Sequence, residues 1–264
     1  MESASLWFYS LVPIMFPALI ITEMINNERL LDKICNILYK PFRLIFNIYN
    51  PKSVYLIIIS ILCGAPTNAR AIKLAIDNNE ISKTEAHLIL EIFSSLSLAY
   101  TIYILKSNNI NILLYYLTYI IISAILMHIL NKPTSNELST SNKIYKKRLD
   151  VLFSSIKSAT SVLFSILGVI IFFNILISTL FNKDFFLYPY LELMGGLDYI
   201  NKKGLGTLNI VSSLTFLSLS IHFQILSNDI DFIYLKFLII RIICSLFITF
   251  IFFLFSWKNI NTYH

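Results

Sequence analysis

Six stretches of this chain, at about 5 to 25, 84 to 105, 110 to 131, 157 to 181, 206 to 226 and 234 to 257, are apolar over the roughly 20 residues that a helix needs to cross a bilayer. Hydrocarbon offers no water to backbone N–H and C=O groups, so such stretches fold as helices that satisfy those groups internally. The expected fold class is therefore an all-α polytopic membrane protein with the lipid bilayer as its first partner. Charged residues make up only 14% of the chain against 56% hydrophobic ones, and the mean hydropathy of +0.72 excludes an ordinary soluble domain. The first apolar segment lacks a basic n-region and a small-residue cleavage site and contains Pro13, Pro17 and Glu23. It reads as a retained membrane helix rather than a cleaved signal peptide.

With only 6 Gly and 7 Pro in the chain, each helix breaker carries information. Two apolar segments are too short or too interrupted to cross simply: 53 to 79, around Gly64 and Pro66, and 185 to 203, around Gly195 and Gly196. Both read as re-entrant or discontinuous. In the first, Gly64 permits the turn and Pro66 suits the start of a new helix. The amides of Thr67, Asn68 and Ala69 then face the break, and Arg70 reinforces the positive helix end. The competing reading is a tight loop, with Arg70 reaching for the membrane surface. In the second segment Glu192 and Asp198 flank the glycines, so one break is basic and the other acidic.

The two halves carry the same features in the same order. "LSLAYTI" at 96 to 102 aligns without a gap with "LSIHFQI" at 219 to 225; upstream, "ILCGAPTNARAI" takes the place of "YLELMGGLDYI". This divides the chain into an N-terminal repeat 1–131, a polar linker 132–150 and a C-terminal repeat 151–264. If each half crosses about three times and adds one broken or re-entrant segment, the halves form an inverted repeat. Placing 26 to 83 and 132 to 157 inside collects 14 of the 21 Lys and Arg there, which makes the linker cytoplasmic and puts both termini outside. Residues 26 to 52 mix leucines, isoleucines and aromatics with Arg29, Lys33, Lys40 and Arg43, as in a helix lying in the membrane interface.

Polar residues inside the apolar runs are the candidates for chemistry. Ser97 with Thr101 and Ser220 with Gln224 are each four apart, so each pair lies on one helix face. Ser218 and His222 form a second stripe. Packing between helices accounts for the serines alone; His222 and Gln224 are larger polar groups in mid-span. Glu91 and Glu192 are the deepest carboxylates, and a carboxylate at such depth is usually paired, protonated or functional. Arg241 in the last helix is a candidate partner for one of them. His87 shares a face with Glu91, but no nucleophile–base constellation points to an enzyme, and no cofactor or metal is called for. Cys35, Cys63 and Cys244 form no CxxC pair and read as packing residues. The net charge of +6 is explained by inside loops, so no nucleic-acid partner is expected.

These motifs resemble the nucleoside-recognition, or Gate, family of membrane proteins, and within it the YlbJ-like sporulation integral membrane proteins. "VPIMFP" (12 to 17) matches that family's Leu-Pro-x-x-Phe-Pro helix, "GAPTNAR" (64 to 70) its Gly-Tyr-Pro-x-Gly-Ala-Lys break, "LELMGGL" (191 to 197) a Glu-containing motif, and "FLSLSIHFQ" (216 to 224) Phe-Gly-Gly-Leu-Ser-Val-His-x-Gln. The chain departs at Ala65, Asn68, Ser94, Ser95, Leu98, Leu217 and Ser218, where the family carries an aromatic, a glycine, an asparagine pair, a proline and paired glycines. The resemblance implies two broken hairpins facing each other in a bacterial cytoplasmic or spore membrane. It also implies a transporter or permease for a small organic anion such as a dipicolinate-like carboxylate, linked to sporulation, with a coupling proton or cation. A nucleoside-type transporter and a non-transporting scaffold of the same fold are the alternatives. The expected binding site joins Gly64, Pro66, Thr67, Asn68, Arg70, Ser97 and Thr101 to Glu192, Gly195, Gly196, Ser220, His222 and Gln224.

Overall fold

The computed structural model describes residues 8–9, 12–26, 29–132, 148–181, 186–228 and 230–261. Most of the expected cytoplasmic linker, the start of the first apolar segment and the C-terminal end lie outside the described residues. All regular structure among the described residues is helical. Five helical stretches are long and apolar enough to cross a membrane: Lys83–Ser107, Ile112–Leu130, Leu149–Leu180, Thr207–Leu226 and Tyr234–Ser256. These coincide with five of the six expected spans. Of the first, the described part contributes helix α1, Val12–Asn26, with a shorter apolar stretch at Met15–Met24. The protein is thus a multi-pass, all-α membrane protein.

Helix α2, Arg29–Phe46, presents Ile34, Ile37, Leu44 and Ile45 outward beside its basic residues. Asn50 then caps α3, Pro51–Leu62, by accepting from the Lys52 amide at 2.7 Å, and the chain bends by 76° between α2 and α3. Helix α4, Thr67–Asp77, returns against α3 as a hairpin whose turn is Cys63 to Pro66. Ser82 opens α5, Lys83–Phe93, by accepting from the Glu85 amide at 3.4 Å, as the Ser82 and Glu85 spacing predicts. Glu85 in turn accepts from Ser53 Oγ at 2.6 Å and the Tyr49 amide at 3.1 Å, so the base of the hairpin is tied to α5.

The span that begins with α5 is not continuous. It stops at Phe93, runs irregularly through Ser94 to Ser97, and resumes as α6, Leu98–Ser107. Helix α7, Ile112–Leu130, completes the N-terminal half. In the C-terminal half the long α8, Arg148–Leu180, is followed by the short α9, Tyr188–Leu191, and by α10, Leu193–Lys203. A second interrupted span follows, α11, Thr207–Phe216, and α12, Leu219–Leu226, separated at Leu217 and Ser218, before the final α13, Tyr234–Asn261. The order helix, hairpin, interrupted span, helix therefore occurs in both halves.

One correction concerns the second break. Helix α10 runs unbroken through Gly195 and Gly196, and the interruption lies earlier, at Glu192. The glycines serve close packing instead: a Cβ on Gly196 would lie 2.2 Å from Pro189 Cα, so α9 rests directly on the first turn of α10.

The main core lies between α3, α4, α5, α7, α10, α11 and α13, with Val54, Leu56, Ile72, Ile92, Phe93 and Phe237 fully enclosed. Helices α1 and α8 pack together through Met15, Leu19, Ala159, Leu163, Ile166 and Ile170. The outer faces of α7, α8 and α13 expose large apolar side chains such as Leu113, Phe164 and Leu246, the surface that lipid tails cover.

Candidate functional site

The turn of the first hairpin sits directly on the first interrupted span. The Ala65 amide donates to Ser95 O at 2.7 Å, Ser95 Oγ donates to Ser60 O at 3.0 Å, and Asn68 Nδ2 donates to Ser94 Oγ at 3.1 Å. Gly64 has φ +70, the left-handed region that favours glycine, and a Cβ there would lie 2.3 Å from the Ser97 nitrogen. Gly64 and Asn68 are thus contact residues between hairpin and span.

Opposite, Glu192 caps α10: its Oε1 accepts from the Met194 amide at 3.0 Å and its Oε2 from the Gly195 amide at 2.8 Å. Its side chain is buried, with the residue 2% exposed. A carboxylate at a helix N-terminus is stabilised by the positive end of the helix dipole, which offsets part of the cost of its burial. At the second interrupted span Ser218 and Ser220 exchange a hydroxyl hydrogen bond at 2.8 Å. The Phe216 carbonyl that ends α11 lies 3.1 Å from His222 Nε2, while His222 Nδ1 lies 3.2 Å from the Tyr234 hydroxyl.

Between these elements is a cavity of about 50 Å³. Cys63 and Ala65 come to it from the first hairpin, Ser97 and Tyr100 from the first interrupted span, Glu192 and Met194 from the second hairpin, and Ser220 and Gln224 from the second interrupted span. Met15, Ile166 and Ile170 from α1 and α8 close one side with apolar surface. Of the thirteen residues expected at the site, Ser97, Glu192, Ser220 and Gln224 line this cavity. Cys63, read from the sequence as a packing residue, lines it as well, and so do Tyr100 and Met194, which sit in runs where nothing marks them.

The remaining expected residues are placed elsewhere. Thr101 is buried and does not line the cavity. His222 is committed to Phe216 and Tyr234, and Gly195 and Gly196 to the α9–α10 contact. Pro66 precedes α4, and two of the amides behind it are already answered: Asn68 N donates to Gly64 O at 3.0 Å and Ala69 N to the Asn68 side chain at 2.7 Å. Arg70 lies two residues from Asn68, roughly 200° around the helix, and so faces away from the interrupted span. Its Nε pairs with Glu23 of α1 at 3.4 Å, and the same Glu23 oxygen accepts from Ser158 Oγ of α8 at 2.7 Å. Arg70 and Thr67 border a separate cavity of about 10 Å³, room for one water at most. Asp198 is exposed and pairs with Lys202.

Two further ionic groups depart from expectation. Among the described residues Arg241 meets no carboxylate; its guanidinium reaches backbone carbonyls of the first interrupted span. Glu91 pairs instead with Lys236 of α13 at 2.7 Å, an arrangement in which the carboxylate side chain is 2% exposed and the ammonium 41%. Removing only the ammonium strands the buried charge. Lys236→Met is therefore expected to lower the melting temperature of the purified protein, and Glu91→Gln added to it is expected to restore most of the loss. A loss unchanged by the second substitution would show that Lys236 acts through packing alone.

No protein-family model, curated protein or solved structure matches the chain. Fold and site together define its class as a multi-pass helical membrane protein with a largely apolar cavity, set with a few polar side chains, among interrupted helices.

Proposed function

We propose that this protein is a membrane transporter that passes a small polar solute through the centre of two halves arranged as an inverted repeat, on the plan of the Gate family it resembles. One observation carries the reading: the central cavity is bordered by both hairpin turns and both interrupted spans, elements that come in equal number from each half. Interrupted helices in corresponding positions are a hallmark of transporter sites, because backbone freed from helical hydrogen bonding is tolerated in a membrane only where protein or a water-filled cavity satisfies it. The cavity holds roughly four waters at about 12 Å³ each, so a larger solute enters only as the hairpins separate.

The lining also bears on substrate class. It offers one carboxylate, two hydroxyls on serine, a phenol and a carboxamide, and no basic side chain. Arg70, on which recognition of a carboxylate would depend, is held by Glu23 outside the cavity. The complementary solute is neutral or positively charged, with hydrogen-bonding groups, and a nucleoside fits this description better than a dicarboxylate. Desolvating a carboxylate next to Glu192 costs several kcal/mol with no cation to offset it.

Cys63 supplies a native reporter, since Cys35 and Cys244 are buried away from the cavity. In proteoliposomes, a nucleoside or small organic amine that accumulates is expected to slow modification of Cys63 by a methanethiosulfonate reagent, and modification is expected to block uptake. Small dicarboxylates should do neither. Uptake of dicarboxylates, with Cys63 unprotected by any nucleoside or amine, would overturn the substrate class; absence of uptake and protection across the whole panel would overturn transport.

A further inference from the structure

Helix α5 ends inside the protein, so its final carbonyls have lost their intrahelical donors without gaining water. Two of them, Leu90 O and Ile92 O, and two just past the helix end, Ser94 O and Ser95 O, are answered by specific groups. Leu90 O accepts from Ser94 Oγ at 2.6 Å, and Ser95 O accepts from the Ala65 amide at 2.7 Å. The other two, Ile92 O and Ser94 O, accept from the two terminal nitrogens of one guanidinium, that of Arg241, with Nη2 at 3.2 Å from Ile92 O and Nη1 in contact with Ser94 O. Arg241 belongs to the last helix, α13, at a sequence separation of 147 from Ser94.

Three features set this arginine apart from a helix-packing residue. It is 1% exposed and the largest fully buried side chain among the described residues. Among the described residues no carboxylate lies within ion-pair distance, and the deep acid of the same region, Glu91, is held by Lys236. Its Nε has no hydrogen-bond partner among the described residues, while both terminal nitrogens serve carbonyls at the helix end. A positive charge held by backbone carbonyl oxygens in a membrane interior is the ligand chemistry of a monovalent cation site. Here the cation is covalently tethered, and its fork spans two oxygens at once.

We propose that Arg241 is a built-in cation of the first interrupted span: it neutralises the carbonyl end of α5, fixes the span from which Ser97 and Tyr100 reach the cavity, and leaves that place closed to any free ion. The second interrupted span differs in kind, since its carbonyl, Phe216 O, is met by the imidazole of His222. Arg241 is a positioning residue, and the proposal concerns the architecture of the span whether or not the cavity carries a transported solute.

The test uses the full chain purified in detergent, with melting followed for the parent, Arg241→Ala, Arg241→Met and Arg241→Lys. Arg241→Met, which fills the space without charge, is expected to melt about 10 °C or more below the parent. Millimolar guanidinium chloride is expected to raise the melting point of Arg241→Ala above that in equal sodium chloride, and to leave Arg241→Met and the parent unmoved, because only the alanine variant has a vacant place of the right shape. Arg241→Lys, which restores charge but reaches fewer oxygens, should melt between Arg241→Met and the parent. Parent-like melting of Arg241→Met, or no response of Arg241→Ala specific to guanidinium, would overturn the proposal. Should Arg241→Ala fail to accumulate, Arg241→Lys decides: melting no higher than that of Arg241→Met would count against a tethered cation. Because every readout is stability, its failure is distinct from a failure to transport.

Discussion

Gly64→Ala is expected to be among the most damaging single-methyl changes at the described glycines, lowering stability by about 2–5 kcal/mol. Two independent costs add. An alanine at φ +70 sits in the left-handed region, a penalty of roughly 1–2 kcal/mol. Its Cβ would also lie 2.3 Å from the Ser97 nitrogen and 2.4 Å from the Leu96 carbonyl carbon, and backbone cannot swing aside as a side chain does. The hairpin turn must lift from the interrupted span, breaking the hydrogen bond from the Ala65 amide to Ser95 O, and an unpaired buried group costs about 1–3 kcal/mol. Thermal unfolding in detergent measures the sum, and other glycines serve as controls. Gly168 lies within α8, and a methyl added there would meet nothing within 4 Å, so Gly168→Ala should be neutral or slightly stabilising. Gly204 shares a positive φ, +64, but faces open space, so Gly204→Ala should cost only the conformational part. Equal losses at Gly64 and Gly204 would mean that the hairpin does not bear on the interrupted span.

The sequence announces the hairpin turn at Gly64 clearly and the span interruptions hardly at all, for a physical reason. Hydropathy accumulates over a whole span, so a break of two to four residues made of serine and leucine leaves the total unchanged. Leu217 is the clearest case: it has φ +60, a left-handed conformation rare for a branched residue, and no local signal in the sequence foretells it. The resemblance alone hints at these places, since the departures at Ser94, Ser95, Leu217 and Ser218 stand where the family carries asparagines and paired glycines. Glycines misdirect the reading of the second hairpin. Gly195 and Gly196 suggest a turn, but they allow α9 and α10 to touch, and the turn falls at Glu192, a residue type not among the preferred helix caps.

Arg70 and Arg241 show a second limit. Sequence places both on helices but says nothing of which neighbours their faces meet. Arg70, expected at the ligand, is paired with Glu23; Arg241, expected beside a carboxylate, answers carbonyls across the interface between halves. The depth of Glu192, by contrast, is legible, because a carboxylate within an apolar segment has few tolerable environments. The cap supplied by the α10 amides is one of them.

Glu192→Gln is expected to weaken solute binding by one to two orders of magnitude while leaving a folded protein. In the parent both carboxylate oxygens accept from amides of the first turn of α10, and ionised carboxylates have further lone pairs that can accept from a solute in the cavity. Glutamine keeps one acceptor for the helix end but turns an NH2 group toward an amide that needs an acceptor, which weakens the cap by about 1 kcal/mol and lowers the melting temperature by only a few degrees. The effect on binding should be larger. Hydrogen bonds to a charged group are worth about 1.5–3 kcal/mol, so a cation or polar donor held by Glu192 should lose roughly 10- to 150-fold in affinity, with uptake falling accordingly. Glu192→Asp retains the charge on a side chain shorter by one methylene and should recover part of the uptake. Protection of Cys63 from modification reads the same change without relying on flux. If Glu192→Gln takes up nucleosides and amines like the parent, the carboxylate is a helix cap and nothing more, and recognition rests on Ser97, Tyr100, Ser220 and Gln224 alone.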